Sequence, residues 1–201
     1  LHAGGTIAIS DGTITALSGD DGIHSDTELT ITGGTIDIQK SYEGLEGVNI
    51  NIEGGNISIV ASDDGINVND SNGLLNITAG TTYVNARGDG LDSNGSITMS
   101  GGTVLVDGPT SNGDGALDYD YTANITGGTL VTAGSSGMVQ AITASDNKST
   151  LNLYFTETQK ANTLVSITDE SGNLVCAYKP TKDFQNIVIY NSDILKNKKD
   201  R

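Results

Sequence analysis

The sequence predicts an all-β fold: a parallel β-helix, a solenoid of about six coils, closed by an antiparallel β cap. Three observations predict it. The chain is rich in Gly and poor in aromatics, with 27 Gly, two Phe and no Trp in 201 residues, so its core must be built from small β-branched side chains. A small-residue pair recurs as Gly4-Gly5, Gly33-Gly34, Gly54-Gly55, Ala79-Gly80, Gly101-Gly102 and Gly127-Gly128, at intervals of 21 to 29 residues. Around each pair, apolar and polar residues alternate with the period of two that belongs to strands.

Aligned on the pairs, the units give columns. Before the pair lie Leu29, Ile50, Leu75, Ile97 and Ala123, then Ile31, Ile52, Ile77, Met99 and Ile125, all expected to point inward. Between them Thr30, Asn51, Asn76, Thr98 and Asn124 point outward, where stacked amides and hydroxyls form a hydrogen-bonded ladder. After the pair come Ile7, Ile36, Ile57, Thr82, Val104 and Leu130, then Ile9, Ile38, Ile59, Val84, Val106 and Thr132, as two more inward columns. Coils that repeat the same short apolar columns bury them by stacking, with strands paired in parallel about 4.8 Å apart. A propeller requires about 40 residues per repeat, and the Gly-Gly-x-Gly-x-Asp unit of calcium-loaded rolls is absent. The first coil starts mid-pattern at Leu1, so earlier coils or a leader are expected to precede it. The coils are assigned to residues 1–144. From 145 to 201 the pattern changes: Leu151 to Phe155, Thr163 to Thr168, Leu174 to Tyr178 and Ile187 to Tyr190 alternate around a Glu170-Ser171-Gly172-Asn173 turn. This segment, with its Lys-bearing tail, is expected to cap the open edge of the last coil.

Charge divides the chain in the same way. Residues 1–130 carry 18 acids and two bases, Lys40 and Arg87, whereas residues 131–201 carry seven acids and eight bases. A net charge of −15 argues against nucleic acid or an anionic membrane as partner. The apolar runs are far shorter than the roughly 20 residues a membrane helix needs. A monomer is expected. The single Cys176 cannot form an internal disulfide and reads as a small buried hydrophobe.

A second repeated marker carries the chemistry: an acid, then Gly, then an aliphatic residue, as Asp21-Gly22, Glu43-Gly44, Asp64-Gly65, Asp89-Gly90 and Asp114-Gly115. In stacked coils these acids form one column. Three residues on, His24, Glu46, Asn67, Asp92 and, with a one-residue shift, Asp118 form another. Carboxylates stacked about 5 Å apart repel by roughly 1 kcal/mol in water and by three to four at an effective dielectric near 20, so something must compensate. Either each Asp is a turn former whose repulsion is screened, or Ca²⁺ is bound, since a hard cation takes six to eight oxygens from carboxylates and turn carbonyls. The strongest candidate ligands are Glu43, Glu46, Asp63 and Asp64 on one pair of coils, and Asp89, Asp92, Asp114 and Asp118 on another, with Asp21 at the start of the column. Zinc or iron is not expected, because His2 and His24 are the only imidazoles.

Arg87, beside the acidic column, reads as an ion-pair partner that relieves its charge, or as the proton acceptor of a calcium-assisted lyase, a role for which Lys40 is the other candidate. Tyr42, Tyr119 and Tyr121 lie near the acidic columns and offer faces on which sugar rings stack. Tyr83 forms an outward stripe with Leu105 and Val131 that is either another sugar platform or a surface covered by the C-terminal segment.

The runs Ser62-Asp63-Asp64-Gly65-Ile66-Asn67, Gly19-Asp20-Asp21-Gly22-Ile23-His24-Ser25-Asp26 and Leu29-Thr30-Ile31-Thr32-Gly33-Gly34-Thr35-Ile36 resemble the bacterial carbohydrate-binding domain-containing β-helix proteins, a family first described as a domain of unknown function. The likeness is strong over residues 4 to 135. It implies a secreted or surface-attached, right-handed β-helix similar in shape to pectate lyases. It also implies binding of calcium, cellulose-like polymers and acidic sugars such as polygalacturonate, without established catalysis. Glu43-Gly44-Leu45-Glu46 and Arg87-Gly88-Asp89 depart from the Asp-Asp-Gly-Ile-His element.

Overall fold

Strands of three to seven residues with one apolar face cannot bury that face alone, and stacking coil on coil solves the problem for all of them at once. In the computed structural model, which describes residues 1–145 and 147–195, all regular structure is β and no helix occurs among the described residues. Three parallel ladders run along the solenoid. The first stacks Ile9, Ile31, Ile52, Ile77, Met99 and Ile125 in direct register. The second stacks Ile14, Ile36, Ile57, Thr82, Val104 and Leu130. The third carries the marker strands, Ile23 on Leu45 on Ile66 on Leu91. The expected inward columns are buried at every position, down to no exposure at Leu29, Ile31, Ile50, Ile52, Ile59 and Val84. The outward ladder is also present: Asn51 Nδ2 donates to Thr30 Oγ1 at 3.4 Å, Asn76 Nδ2 to Asn51 Oδ1 at 3.4 Å and Thr98 Oγ1 to Asn76 Oδ1 at 3.0 Å.

The alignment of the first unit needs correction. Gly12, Gly34, Gly55, Gly80, Gly102 and Gly128 share φ values of 80 to 91° and mark the same corner of six successive coils. Only glycine adopts this conformation without steric cost. The first member is therefore Asp11-Gly12, whose turn is tightened by Gly12 N donating to Asp11 Oδ1 at 2.7 Å, and not Gly4-Gly5. Ile7 and Ile9 accordingly stack on Leu29 and Ile31, ahead of the corner instead of after it. The irregular first interval of 29 residues becomes 22.

The last parallel strand, Thr143–Ala144, pairs with Ala123–Ile125. Beyond it the direction changes: Thr129–Gly134 pairs antiparallel with Phe184–Leu195, which pairs antiparallel with Lys148–Gln159. A separate hairpin, Val165–Thr168 with Leu174–Tyr178, turns where the Asp169 carboxylate accepts the backbone N–H groups of Ser171 and Asn173, each at 2.8 Å. Ile167 of this hairpin packs with Val131, Ala133, Phe184, Ile187 and Ile189 in a second core, and half-buried Cys176 lies against it. The Lys-bearing end, residues 196–201, lies outside the described residues.

The outer face of the hairpin is fixed to the solenoid by one buried acid. Asp107, 1% exposed, accepts hydrogen bonds from Tyr83 Oη at 2.8 Å, Tyr178 Oη at 2.8 Å, and Thr181 through both its backbone N at 2.9 Å and its hydroxyl. Replacing Asp107 with Ala leaves these donors without an acceptor at about 1–3 kcal/mol each where they stay buried. We expect Asp107→Ala to lower the melting temperature by at least about 4 °C, given about 2–4 °C per kcal/mol for a chain of this size. Amide exchange should rise in Val165–Tyr178 and stay unchanged in the coils.

Candidate functional site

The marker motif is dictated by the way the chain crosses the core. A Cβ on Gly44 would lie 2.3 Å from Gly65 O and 2.3 Å from Ile59 Cγ2, and one on Gly65 would lie 2.1 Å from Val84 Cγ1. Only Gly fits against the coil beneath, and the acid before it is turned to the outside. Gly22 N donates to Glu43 O, Gly44 N to Asp64 O and Gly65 N to Asp89 O, at 2.9 to 3.0 Å, so Asp21, Glu43, Asp64 and Asp89 stand in one column. The second column follows from the strand register: His2 on His24, His24 on Glu46, Glu46 on Asn67, and Asn67 on Asp92. The bridge between Leu91 and Leu117 sets Asp118 next after Asp92.

Asp114 departs from the expectation. Gly90 N donates to Gly115 O at 3.0 Å, so Gly115 occupies the marker place on the sixth coil and Asp114 is displaced by one residue, its carboxylate accepting from Ser111 Oγ at 3.2 Å. The extra residues of the 107–115 turn cause the slip.

Each first-column carboxylate divides its two oxygens between two roles. One accepts a backbone N–H from the next coil, from Glu43 to Asp21 Oδ1 at 3.3 Å, from Asp89 to Asp64 Oδ1 at 2.7 Å and from Gly115 to Asp89 Oδ1 at 2.5 Å. The other is left for the second column. Burial among like charges pushes these acids upward: Glu43 to about 8, Asp64 and Asp89 to about 6 and Asp92 to about 7, with desolvation the largest cause in each. Glu46 is raised for the same reason. Asn67 Nδ2 donates to Glu43 Oε1 at 2.9 Å, yet Glu43 Oε2 and Asn67 Oδ1 are buried acceptors without a donor. The ligand atoms of Asp89, Asp92 and Asp118 lie within 4.8 Å of one another, as do those of Asp21, His24 and Glu46, and of His2, His24 and Asp26. These clusters can hold metal ions. Orphaned acceptors beside mutually repelling carboxylates fit a cation, because a cation satisfies both defects at once.

The remaining candidates are scattered. Asp63 flanks the column, and its carboxylate meets the hydroxyl of Tyr42, whose pKa it raises. Tyr42 and Tyr121 are exposed, at 51% and 62%. Tyr119 is half-buried and donates to Ala141 O at 3.1 Å. Tyr83 is not an open platform: its hydroxyl is held by Asp107 and Thr181, and Leu105 and Val131 of its stripe lie in the second core. Lys40 is exposed. The ion pair expected of Arg87 is not formed; among the described residues Arg87 is exposed and outside every salt bridge. Its neighbour is Lys182, whose ammonium donates to Ala86 O and is pushed down to about 8 by burial. Sequence reasoning missed His2 as part of the second column, although its spacing of 22 from His24 equals the Gly12-to-Gly34 interval. It also missed Asp26, Asp107 and Lys182, which no repeat marks.

Fold and site together define a β-solenoid with carboxylate and imidazole clusters along one edge. A family model described as carbohydrate-binding domain-containing protein matches residues 1–47 and 46–195, and the chain belongs to that family. Neither the curated proteins nor the solved structures give a match.

The raised acids fix a pH dependence. Glu43, Asp64, Asp89 and Asp92 hold their protons more tightly folded than unfolded, where a carboxyl titrates near 4. Between about pH 4 and about pH 8 the folded state therefore binds more protons, and stability falls as pH rises. Asp169 and Asp183, held low by hydrogen bonds from Asn173 and Lys160, act below this window. In metal-free buffer at constant ionic strength, the melting temperature should be higher near pH 5 than near pH 8. A flat or rising profile would show that the columns are not repelling as described.

Proposed function

We propose that this chain is a non-catalytic, calcium-dependent binder of plant cell-wall polysaccharide, with acidic polymers such as polygalacturonate as the principal class, acting outside the cell or attached to its surface. Family membership supports carbohydrate as the ligand. The observation that carries the calcium reading is the pair of buried, donorless acceptors, Glu43 Oε2 and Asn67 Oδ1, within a column of raised carboxylates. Asp89, Asp92 and Asp118 would hold one ion with oxygens alone, the donor set calcium prefers. Glu43, Asn67 and Asp64 would contribute to another. Bound calcium supplies charge neutralisation and coordination positions open to ligand oxygens.

That chemistry reconciles an acidic protein with an acidic ligand. Residues 1–130 carry 18 acids against two bases and repel a polyuronate unless cations stand between the two sets of carboxylates. A neutral, cellulose-like glucan has a different footing, the exposed faces of Tyr42 and Tyr121, and its retention is independent of chelation. A second reading, a calcium-dependent polyuronate lyase with Arg87 or Lys40 as base, draws support from Arg87 being exposed and outside every salt bridge beside the acidic column.

The test is retention on immobilised polygalacturonate. EDTA should abolish it while circular dichroism shows the fold intact. Asp89→Asn combined with Asp92→Asn should weaken it at least about tenfold, about 1.4 kcal/mol. Retention unaffected by EDTA contradicts the calcium reading. Release of unsaturated uronides that Arg87→Ala eliminates would establish the lyase instead.

A further inference from the structure

The first two coils bring together the only two imidazoles of the chain. His2 and His24 stack with ring centroids 4.4 Å apart and planes 18° from parallel. Both turn Nε2 toward one carboxylate oxygen, Asp26 Oδ1, at 2.8 Å from His2 and 3.3 Å from His24. The opposite nitrogen of His24 is also engaged: its Nδ1 lies 3.0 Å from Asp21 Oδ2 and 2.8 Å from Glu46 Oε2.

The two sides of His24 differ in what they ask for. Two carboxylates at Nδ1 fix the ring proton there, so in a neutral ring the Nε2 lone pair points at Asp26 Oδ1, an acceptor facing an acceptor. His2 Nε2 meets the same oxygen. A cation among the three atoms removes the conflict. Protons do so only by making both rings imidazolium, and two such cations stacked face to face repel. A single metal ion does so with both rings neutral. In a tetrahedral site with bonds of about 2.0–2.1 Å, ligand atoms stand about 3.3 Å apart, close to the two separations observed here. A metal-bound His whose other ring nitrogen donates to a carboxylate is the usual supporting arrangement, fixing both tautomer and ring orientation. Here Asp21 and Glu46 provide it.

We propose that His2, His24 and Asp26 form a binding site for a borderline transition-metal ion of the zinc, cobalt, nickel or copper class, distinct in chemistry from the oxygen-only sites further along the columns. Imidazole nitrogen suits these metals and not calcium, which takes oxygen ligands. Asp21 and Glu46 act as positioning residues through His24 Nδ1 rather than as ligands. Three protein ligands leave a fourth position open, and with His2 62% and Asp26 50% exposed that position faces solvent. The ion clamps the coil bearing His2 to the coil bearing His24.

The experiment is a Co²⁺ titration of the full chain in excess Ca²⁺, followed by visible absorption, with Zn²⁺ competition. The expected result is one equivalent of intense d–d absorption that Zn²⁺ displaces and Ca²⁺ does not. His2→Ala, an exposed position whose loss leaves the core intact, should weaken cobalt binding at least about tenfold. Asp26→Asn should do the same, while Asp92→Asn should leave it unchanged. Cobalt binding that survives His2→Ala and Asp26→Asn, or that Ca²⁺ displaces, overturns the proposal. Neither result bears on polygalacturonate retention, which rests on Asp89, Asp92 and Asp118.

Discussion

Strict in-register stacking of parallel coils is the constraint on which everything else in this chain depends. Whatever side chain one coil presents, the next presents an equivalent one about 4.8 Å away. For Ile, Leu and Val this is favourable at every step, and the core needs no large aromatic because each aliphatic column continues from coil to coil. For Thr and Asn it is also favourable, since the Thr30, Asn51, Asn76 and Thr98 ladder hydrogen-bonds along the stack. For Asp and Glu it is not. The same geometry that aligns Ile31 with Ile52 aligns Asp64 with Asp89, and burial keeps water from screening them.

The fold manages this conflict locally. One oxygen of Asp21, Asp64 and Asp89 is tied to a backbone N–H of the next coil, which makes these acids part of the stacking. The turn-former and metal-ligand readings of the marker motif are therefore not rivals, because a carboxylate has two oxygens and the geometry separates their tasks. The C-terminal segment solves a different problem. Antiparallel pairing of Phe184–Leu195 on Thr129–Gly134 ends the parallel ladder, and Asp107 fastens the outer hairpin through Tyr83, Tyr178 and Thr181.

What was legible in the sequence was whatever repeats. The inward columns, the amide ladder and the two marker columns all follow from a fixed interval, and each is present in the structure. Errors arose where the interval breaks. The Gly4-Gly5 pair mimicked a corner that is in fact at Gly12, because two adjacent glycines look alike in sequence while only the conformation of the second defines the turn. The longer turn after Asp107 shifted Asp114 off its column. Contacts between the cap and the coils carry no periodic signal at all. Tyr83 therefore read as a free sugar platform as easily as a covered one, and Arg87 as an ion-pair partner. The His2–His24 stack was readable from its spacing but was discounted by counting imidazoles without asking where stacking puts them.

The central claim is that residues distant in sequence share one cation because coils stack in register. A double-mutant cycle on calcium affinity tests it most directly, using Asp92→Asn and Asp118→Asn, which lie on consecutive coils. Shared ligation predicts non-additivity: either substitution alone removes most of the binding at that site, the second removes little more, and the coupling is about 1 kcal/mol or larger. Strictly additive losses would mean that the two carboxylates act at independent places, and would contradict the account.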